Sequence, residues 1–239
     1  MSRQVQDAYI VAATRTPVGK APRGVLRHAR PDDMLAHVLK SALAQAPGLD
    51  PAVIDDVVVG CAMPEAEQGM NVARIALLLA GFPDSVSGVT LNRFCSSGLQ
   101  AVATAADRIR LGEADVMIGA GTESMSMIPM GGNKLVANEQ FFTRDENIGI
   151  AYGMGITAEK VATQWKISRE AQDEFATESH RRALAAIEKG EFKQEIAPYN
   201  LDEHVPDFEH HRVVTRSKVV AVDEGPRAGT TCEVLAKLR

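Results

Sequence analysis

Apolar residues in the first 120 positions fall into two alternating patterns. Short continuous runs read as strands buried on both faces: Ala8 to Ala13, Val57 to Val59, Gly88 to Asn92 and Val116 to Ala120. Between them, apolar positions recur at helical spacing. Met34, Leu35, Val38, Leu39, Ala42 and Leu43 form one stripe, entered through Pro31, Asp32 and Asp33. Two carboxylates there suit the positive end of a helix. Asp50-Pro51 opens a second, short helix, because proline fits the first turn. Asn71 to Ala80 is a strongly apolar helix closed by Gly81 and Pro83, and Ser96 to Leu111 is another, ended by Gly112. The order β-α-β-α-β-α-β predicts an α/β layer with a largely parallel sheet.

After Gly121 the pattern loosens. Met125 to Gly132 is irregular. Thr157 is the expected cap of a helix running to Trp165. Ser168 is the expected cap of a longer one, Arg169 to Lys189, with Gly190 as its stop. His204 to Arg212 reads as a polar loop, and Val213 to Val222 as an extended pair or hairpin. The expected organisation is therefore residues 1–121 as an α/β half and residues 122–239 as an inserted, loop-rich α+β subdomain.

Charge and composition narrow the function classes. Lys plus Arg is 26 and Asp plus Glu is 31, a net charge of −5, which argues against a nucleic-acid surface. Three cysteines are too few for a disulfide scaffold and point to free thiols in a reducing, cytoplasmic setting. The longest apolar stretch, near Ile75 to Phe82, falls far short of the roughly 20 residues that span a bilayer, and no signal peptide is expected.

Cys95 is the strongest chemical candidate. A strand ends just before it and a helix starts just after it. The free N–H groups and positive end of a helix favour thiolate, the reactive form. A backbone N–H at such a turn can also donate to an oxyanion. The small residues Ser96, Ser97 and Gly98 would let a substrate approach the backbone. The competing reading is a buried packing cysteine, and Cys61 and Cys232 take that reading. His204, His210 and His211, with Glu203 and Glu209, invite a metal site but lack any fixed ligand spacing, so no metal is expected. Gly119-Ala120-Gly121 after a strand invites a dinucleotide site, but Ser124 stands where the third glycine would be.

Asn92-Arg93-Phe94-Cys95-Ser96-Ser97-Gly98-Leu99-Gln100-Ala101 resembles the acyl-enzyme signature of thiolases. Arg15 to Gly19, Gly119 to Ser126, Met154 to Glu159, Ser168 to Asp173 and Leu235 to Arg239 resemble further segments of that family. The best match is the degradative 3-ketoacyl-CoA thiolase group, ahead of ketoacyl synthases and HMG-CoA synthase. The resemblance implies ping-pong acyl transfer through a cysteine acyl-enzyme. It implies Cys95 as the acylated residue, Met154 as a methionine lining the pantetheine and acyl pocket, and Arg227 as an arginine packed near the CoA adenine. It also implies CoA thioesters as substrates, no cofactor, and a homodimer or dimer of dimers. Arg216 and Lys218 are further candidates for the CoA phosphates. The family serine near CoA aligns with Val234, and the histidine before the pocket methionine aligns with Gly153. The family's catalytic histidine and its second cysteine, in NEAFA-GHP and CxGG motifs, have no counterpart in the sequence. The chain is accordingly expected to be most of one α/β half plus the loop domain, and not to turn over alone. Acetoacetyl-CoA thiolase and a non-catalytic thiolase paralogue remain the alternatives.

Overall fold

The computed structural model describes residues 5–238, so Arg239, the last residue of one of the resembling segments, lies outside them. Two compact units emerge: residues 5–133 with 193–225, and residues 134–192 with 226–238. Each is described by itself.

In the first unit, strands β1 (Asp56–Gly60), β2 (Ser87–Leu91) and β3 (Met117–Gly121) form a parallel sheet of order β2-β1-β3. The central strand carries Val57, Val58 and Val59, all essentially inaccessible, because neighbours cover both its edges and helices both its faces. Its alternation decides which helix meets which face. Val57 and Val59 join the core cluster with Leu35, Leu39, Val72, Ala76 and Leu77 from helices α1 (Pro31–Ala44) and α2 (Val72–Leu79). On the other face, Gly60 pairs with Gly121, and Val58 with Gly119. Helix α3 (Ser97–Arg110) lies there with its backbone against the sheet. A Cβ on Gly60 would stand 2.3 Å from the Ser97 carbonyl carbon, and one on Gly119 would stand 2.8 Å from the Val102 Cα. The glycines of Gly119-Ala120-Gly121 thus make room for a helix, which is the physical reason the segment need not be a phosphate loop.

The expected strand at Ala8 to Ala13 does not form. Tyr9, Ile10 and Val11 are exposed, and the segment is tied down by Gln6 N–H to Arg110 O, Ala13 N–H to Gln45 Oε1, and Arg15 N–H to Glu195 O. An apolar cleft of about 620 Å³ separates it from the unpaired outer edge of β3; Ile10, Val38, Leu39, Val102, Ile109 and Ile118 line it. The run is apolar enough for a strand, but a strand needs a partner within about 4.8 Å to accept its hydrogen bonds.

The polar loop expected at His204 to Arg212 is also corrected. Strands β4 (Tyr199–Asp207) and β5 (Arg212–Val220) form a nine-pair antiparallel hairpin, Tyr199↔Val220 through Asp207↔Arg212. Its base, Leu201 and Val220, packs with Leu26 and Ala29. Arg15 adds an ion pair to Glu195 and a two-pronged one to Asp223, with Nη1 to Oδ1 2.8 Å and Nη2 to Oδ2 2.9 Å. These contacts place residues 193–225 in the first unit rather than in a subdomain starting at 122. Residues 122–133 stay there too: Ser124 and Ile128 are buried, and Thr122 bonds both the Gly60 and the Pro31 carbonyls.

The second unit is helical. A short helix α4 (Gln140–Thr143) precedes α5 (Met154–Trp165), which begins at Met154 rather than at Thr157. The Thr157 hydroxyl lies inside the first turn, donating to the Gly153 carbonyl at 3.3 Å. Helix α6 (Arg169–Lys189) starts where its cap predicts: Ser168 Oγ accepts the Ala171 N–H, and Gly190 ends it at φ 74°. Helix α7 (Cys232–Leu235) is held to α6, where the Arg169 guanidinium donates to the Leu235 and Leu238 carbonyls.

Candidate active site

Cys95 is exposed, in the turn joining the C-terminal end of β2 to α3. Open parallel sheets place their ligand crevices at this end. Phe94, just before it, has φ 48°, a conformation that bulky residues rarely adopt. Hydrogen bonds enforce it. Asn92 Oδ1 accepts the Phe94 N–H at 2.8 Å, closing an Asx turn. The Ser97 hydroxyl donates to the Phe94 carbonyl at 2.6 Å and accepts the Arg93 N–H at 2.8 Å. The Ser96 hydroxyl donates to the Arg93 carbonyl at 2.9 Å. The turn is then tied to the sheet, because Asn92 Nδ2 donates to the Ala62 carbonyl at 2.9 Å.

Behind Ala62 lies a second polar group. Its N–H donates to Glu123 Oε2 at 2.7 Å. The other Glu123 oxygen accepts a short hydrogen bond from Gln68, a fully buried side chain. Gln68 also accepts the Ser124 N–H at 2.9 Å and donates to the Met63 carbonyl at 2.8 Å. Cys61 sits beside this group, buried. Burial first, and then the Glu123 charge, push its thiol up to about 11. Cys61 is therefore a packing thiol, and Cys95 is an accessible one.

One expectation about the turn is narrowed and another is revised. The Ser96 and Ser97 N–H groups already bond the Arg93 and Phe94 carbonyls, so neither is free for an oxyanion. Ser97 is only 3% exposed and opens no path to the backbone; the open space is at Gly98. Sequence reasoning gave Asn92, Gln68 and Glu123 no role. An asparagine two residues ahead of a backbone N–H that needs an acceptor was the available signal.

Met154 and Arg227 belong to the second unit. Met154 is the first residue of α5 and is 62% exposed. Arg227 is exposed, and its backbone N–H donates to His180 Nδ1 at 3.1 Å, which assigns the proton of a neutral His180 ring to Nε2. Val234 is exposed on α7. Arg216 and Lys218 are exposed on β5, opposite Glu203 and Leu201. Among the described residues, no group of three or more His, Cys, Asp or Glu is placed to hold a metal. His204 meets the Thr215 hydroxyl, and His210 pairs with Asp207. Among the described residues, no helix is long and apolar enough to cross a membrane.

The parallel α/β layer is shared with known proteins. The chain superposes on a crystal structure of the Bacillus anthracis acetyl-CoA acetyltransferase with a TM-score of 0.80 at 36% identity, covering 100% of this chain and 59% of that one. It is 44% identical over 236 residues to a 3-ketoacyl-CoA thiolase of Bacillus subtilis (strain 168), covering 98% of this chain and 59% of the relative. It is also 44% identical to 3-ketoacyl-CoA thiolase 5, peroxisomal, of Arabidopsis thaliana, covering 50% of that protein. The family profile described as Thiolase, N-terminal domain, matches residues 8–239. The chain belongs to the thiolase family and spans between half and three-fifths of the length of these relatives.

Proposed function

We propose that Cys95 is the acyl acceptor of a 3-ketoacyl-CoA thiolase. The observation that carries this reading is the accessible sulfur of Cys95 on the strained β2–α3 turn. The thiolate attacks the keto carbonyl of a 3-ketoacyl-CoA. The bond between that carbon and its neighbour on the thioester side then breaks. The electron pair leaves with the acetyl-CoA fragment, which takes up a proton, and the shortened acyl group stays on sulfur as a thioester. A second CoA thiol takes that acyl group and returns the cysteine. The substrates are CoA thioesters, with no metal or other cofactor, in the cytoplasmic breakdown of fatty acids by a homodimer or dimer of dimers. Met154 would line the acyl and pantetheine pocket, and Arg227 would face the CoA adenine.

The sequence holds neither a GHP-type histidine motif nor a CxGG cysteine. A second reading, acetoacetyl-CoA thiolase, is favoured by the similarity to the Bacillus anthracis acetyl-CoA acetyltransferase. Both are tested by exposing the protein to acetoacetyl-CoA and to a long-chain 3-ketoacyl-CoA, quenching in acid and weighing the intact chain. A long-chain acyl increment that Cys95→Ala abolishes supports the first reading. An acetyl increment alone supports the second, and no increment with either substrate overturns both.

A further inference from the structure

We propose that Ser97 and Asn92 are positioning residues for Cys95: they lock Phe94 into its left-handed conformation and so fix the sulfur at the start of α3. The geometry of the turn carries this. A non-glycine residue at positive φ persists only where its surroundings over-determine it. At Phe94 they do, from both sides of the peptide. Its N–H is held by Asn92 Oδ1, and its carbonyl by the hydroxyl and the N–H of Ser97. The Ser97 hydroxyl spans the turn, because it also accepts the Arg93 N–H. It is 3% exposed, so water cannot replace it. The Asn92 side chain closes the turn on one side and reaches the Ala62 carbonyl on the other. Ala62 is anchored in turn by Glu123, which the buried Gln68 holds. The backbone beneath is equally constrained, because Gly60 leaves no room for the Ser97 peptide to move toward the sheet. Neither Ser97 nor Asn92 needs to touch an acyl group to act; each works through the placement of Cys95. A sulfur kept near the first turn of a helix has its negative charge supported by the helix dipole, and one on a relaxed loop does not.

The purpose of this device rests on the acyl-acceptor reading, but its test does not. The 239-residue chain is treated with iodoacetamide at neutral pH, and the rates at Cys95, Cys61 and Cys232 are followed by peptide mass mapping. Ser97→Ala and Asn92→Ala are each expected to slow Cys95 about fivefold, the factor carried by one hydrogen bond. Cys61 should stay protected and Cys232 unchanged. Glycine adopts positive φ freely, so Phe94→Gly in the Ser97→Ala background should restore at least half of the lost rate. Three outcomes overturn the proposal: Cys95 rates within twofold of the parent in both variants, a loss accompanied by reaction at Cys61, or no rescue by Phe94→Gly. If Cys95 behaves as expected here yet takes no acyl group from any thioester, the acyl-acceptor reading fails while the positioning role stands.

Discussion

In the first unit, Val57, Val59, Val72, Ala76 and Leu77 are sealed from solvent, whereas in the second the only buried side chain among the described residues is that of Asp173. The two units are stabilised by different means. A central strand between two helical layers excludes water from both faces, and apolar burial then outweighs every other local term. The second unit leaves Met154, Trp165 and Phe175 exposed. It relies on caps and charges. Ser168 and Gly190 bound α6, Arg169 joins Asp173 to the α7 carbonyls, and Glu178 pairs with Arg181 and Arg182. The Glu178 carboxyl is held at about 2 by those two guanidiniums. Surface pairs of this kind are worth little individually. The nucleophile candidate sits on the rigid unit, while the two candidate CoA residues sit on the looser one.

The largest effect that would sharpen this contrast is truncation of the first core. Leu77→Ala removes a side chain of 0% exposure and should cost about 3–4 kcal/mol, read from the urea midpoint. Phe175→Ala removes a larger side chain that is 80% exposed and should stay within about 0.5 kcal/mol. Equal effects would break the comparison.

Next is the close fit of α3 on the sheet. Gly60→Ala puts a methyl group 2.3 Å from the Ser97 carbonyl carbon, so helix and strand must separate. A loss of about 2–3 kcal/mol is expected, together with a change in the reactivity of Cys95. An unperturbed variant would show that the helix is free to move.

A smaller, pH-dependent effect concerns the anchor between Arg15 and Asp223. Burial alone raises the Asp223 carboxyl, but hydrogen bonds from Arg15 and from the Val18 N–H outweigh it and hold the group below its ordinary value. Its folded-state pKa is depressed, so its stabilisation is fully present above the unfolded carboxylate value. It is lost as the pH falls through the folded one. Asp223→Asn should cost about 2 kcal/mol at neutral pH and nothing once both states are protonated. A pH-independent difference between the two unfolding curves would contradict this.

The smallest effect is the cap of α6. Ser168→Ala should cost about 1 kcal/mol, confined to amide exchange in the first turns of α6 and silent in β1. Faster exchange in β1 as well would mean that the two units unfold together.

Legibility in the sequence followed the range of the interactions. Helix α6 was legible to the residue, because Ser168, Gly190 and the intervening pattern act within one turn of the positions they mark. The parallel strands were legible because apolar runs bounded by glycine suffice to mark them. The Cys95 turn was legible as strand, turn and helix, and its family signature lies within ten residues. Ala8 to Ala13 misled because an apolar run reports a tendency to be buried and not the presence of a partner strand. Val213 to Val222 was legible as extended, but its partner β4 was missed because β4 is largely polar and its register depends on residues up to 21 positions away. The unit boundary was misplaced for a similar reason. Arg15 finds Glu195 and Asp223 about 180 and 208 positions further on, and no local pattern announces such pairs. In the site, Ser97 looked like a small residue that permits close approach; its hydroxyl instead closes the turn.

The most direct test of the central claim is to expose the protein to acetyl-CoA and map the acetyl group among Cys95, Cys61 and Cys232 by peptide mass spectrometry. The strained, accessible turn predicts acetylation at Cys95 alone, with Cys61 silent in its buried site. Equal labelling of Cys95 and Cys232, or none at Cys95, would contradict it.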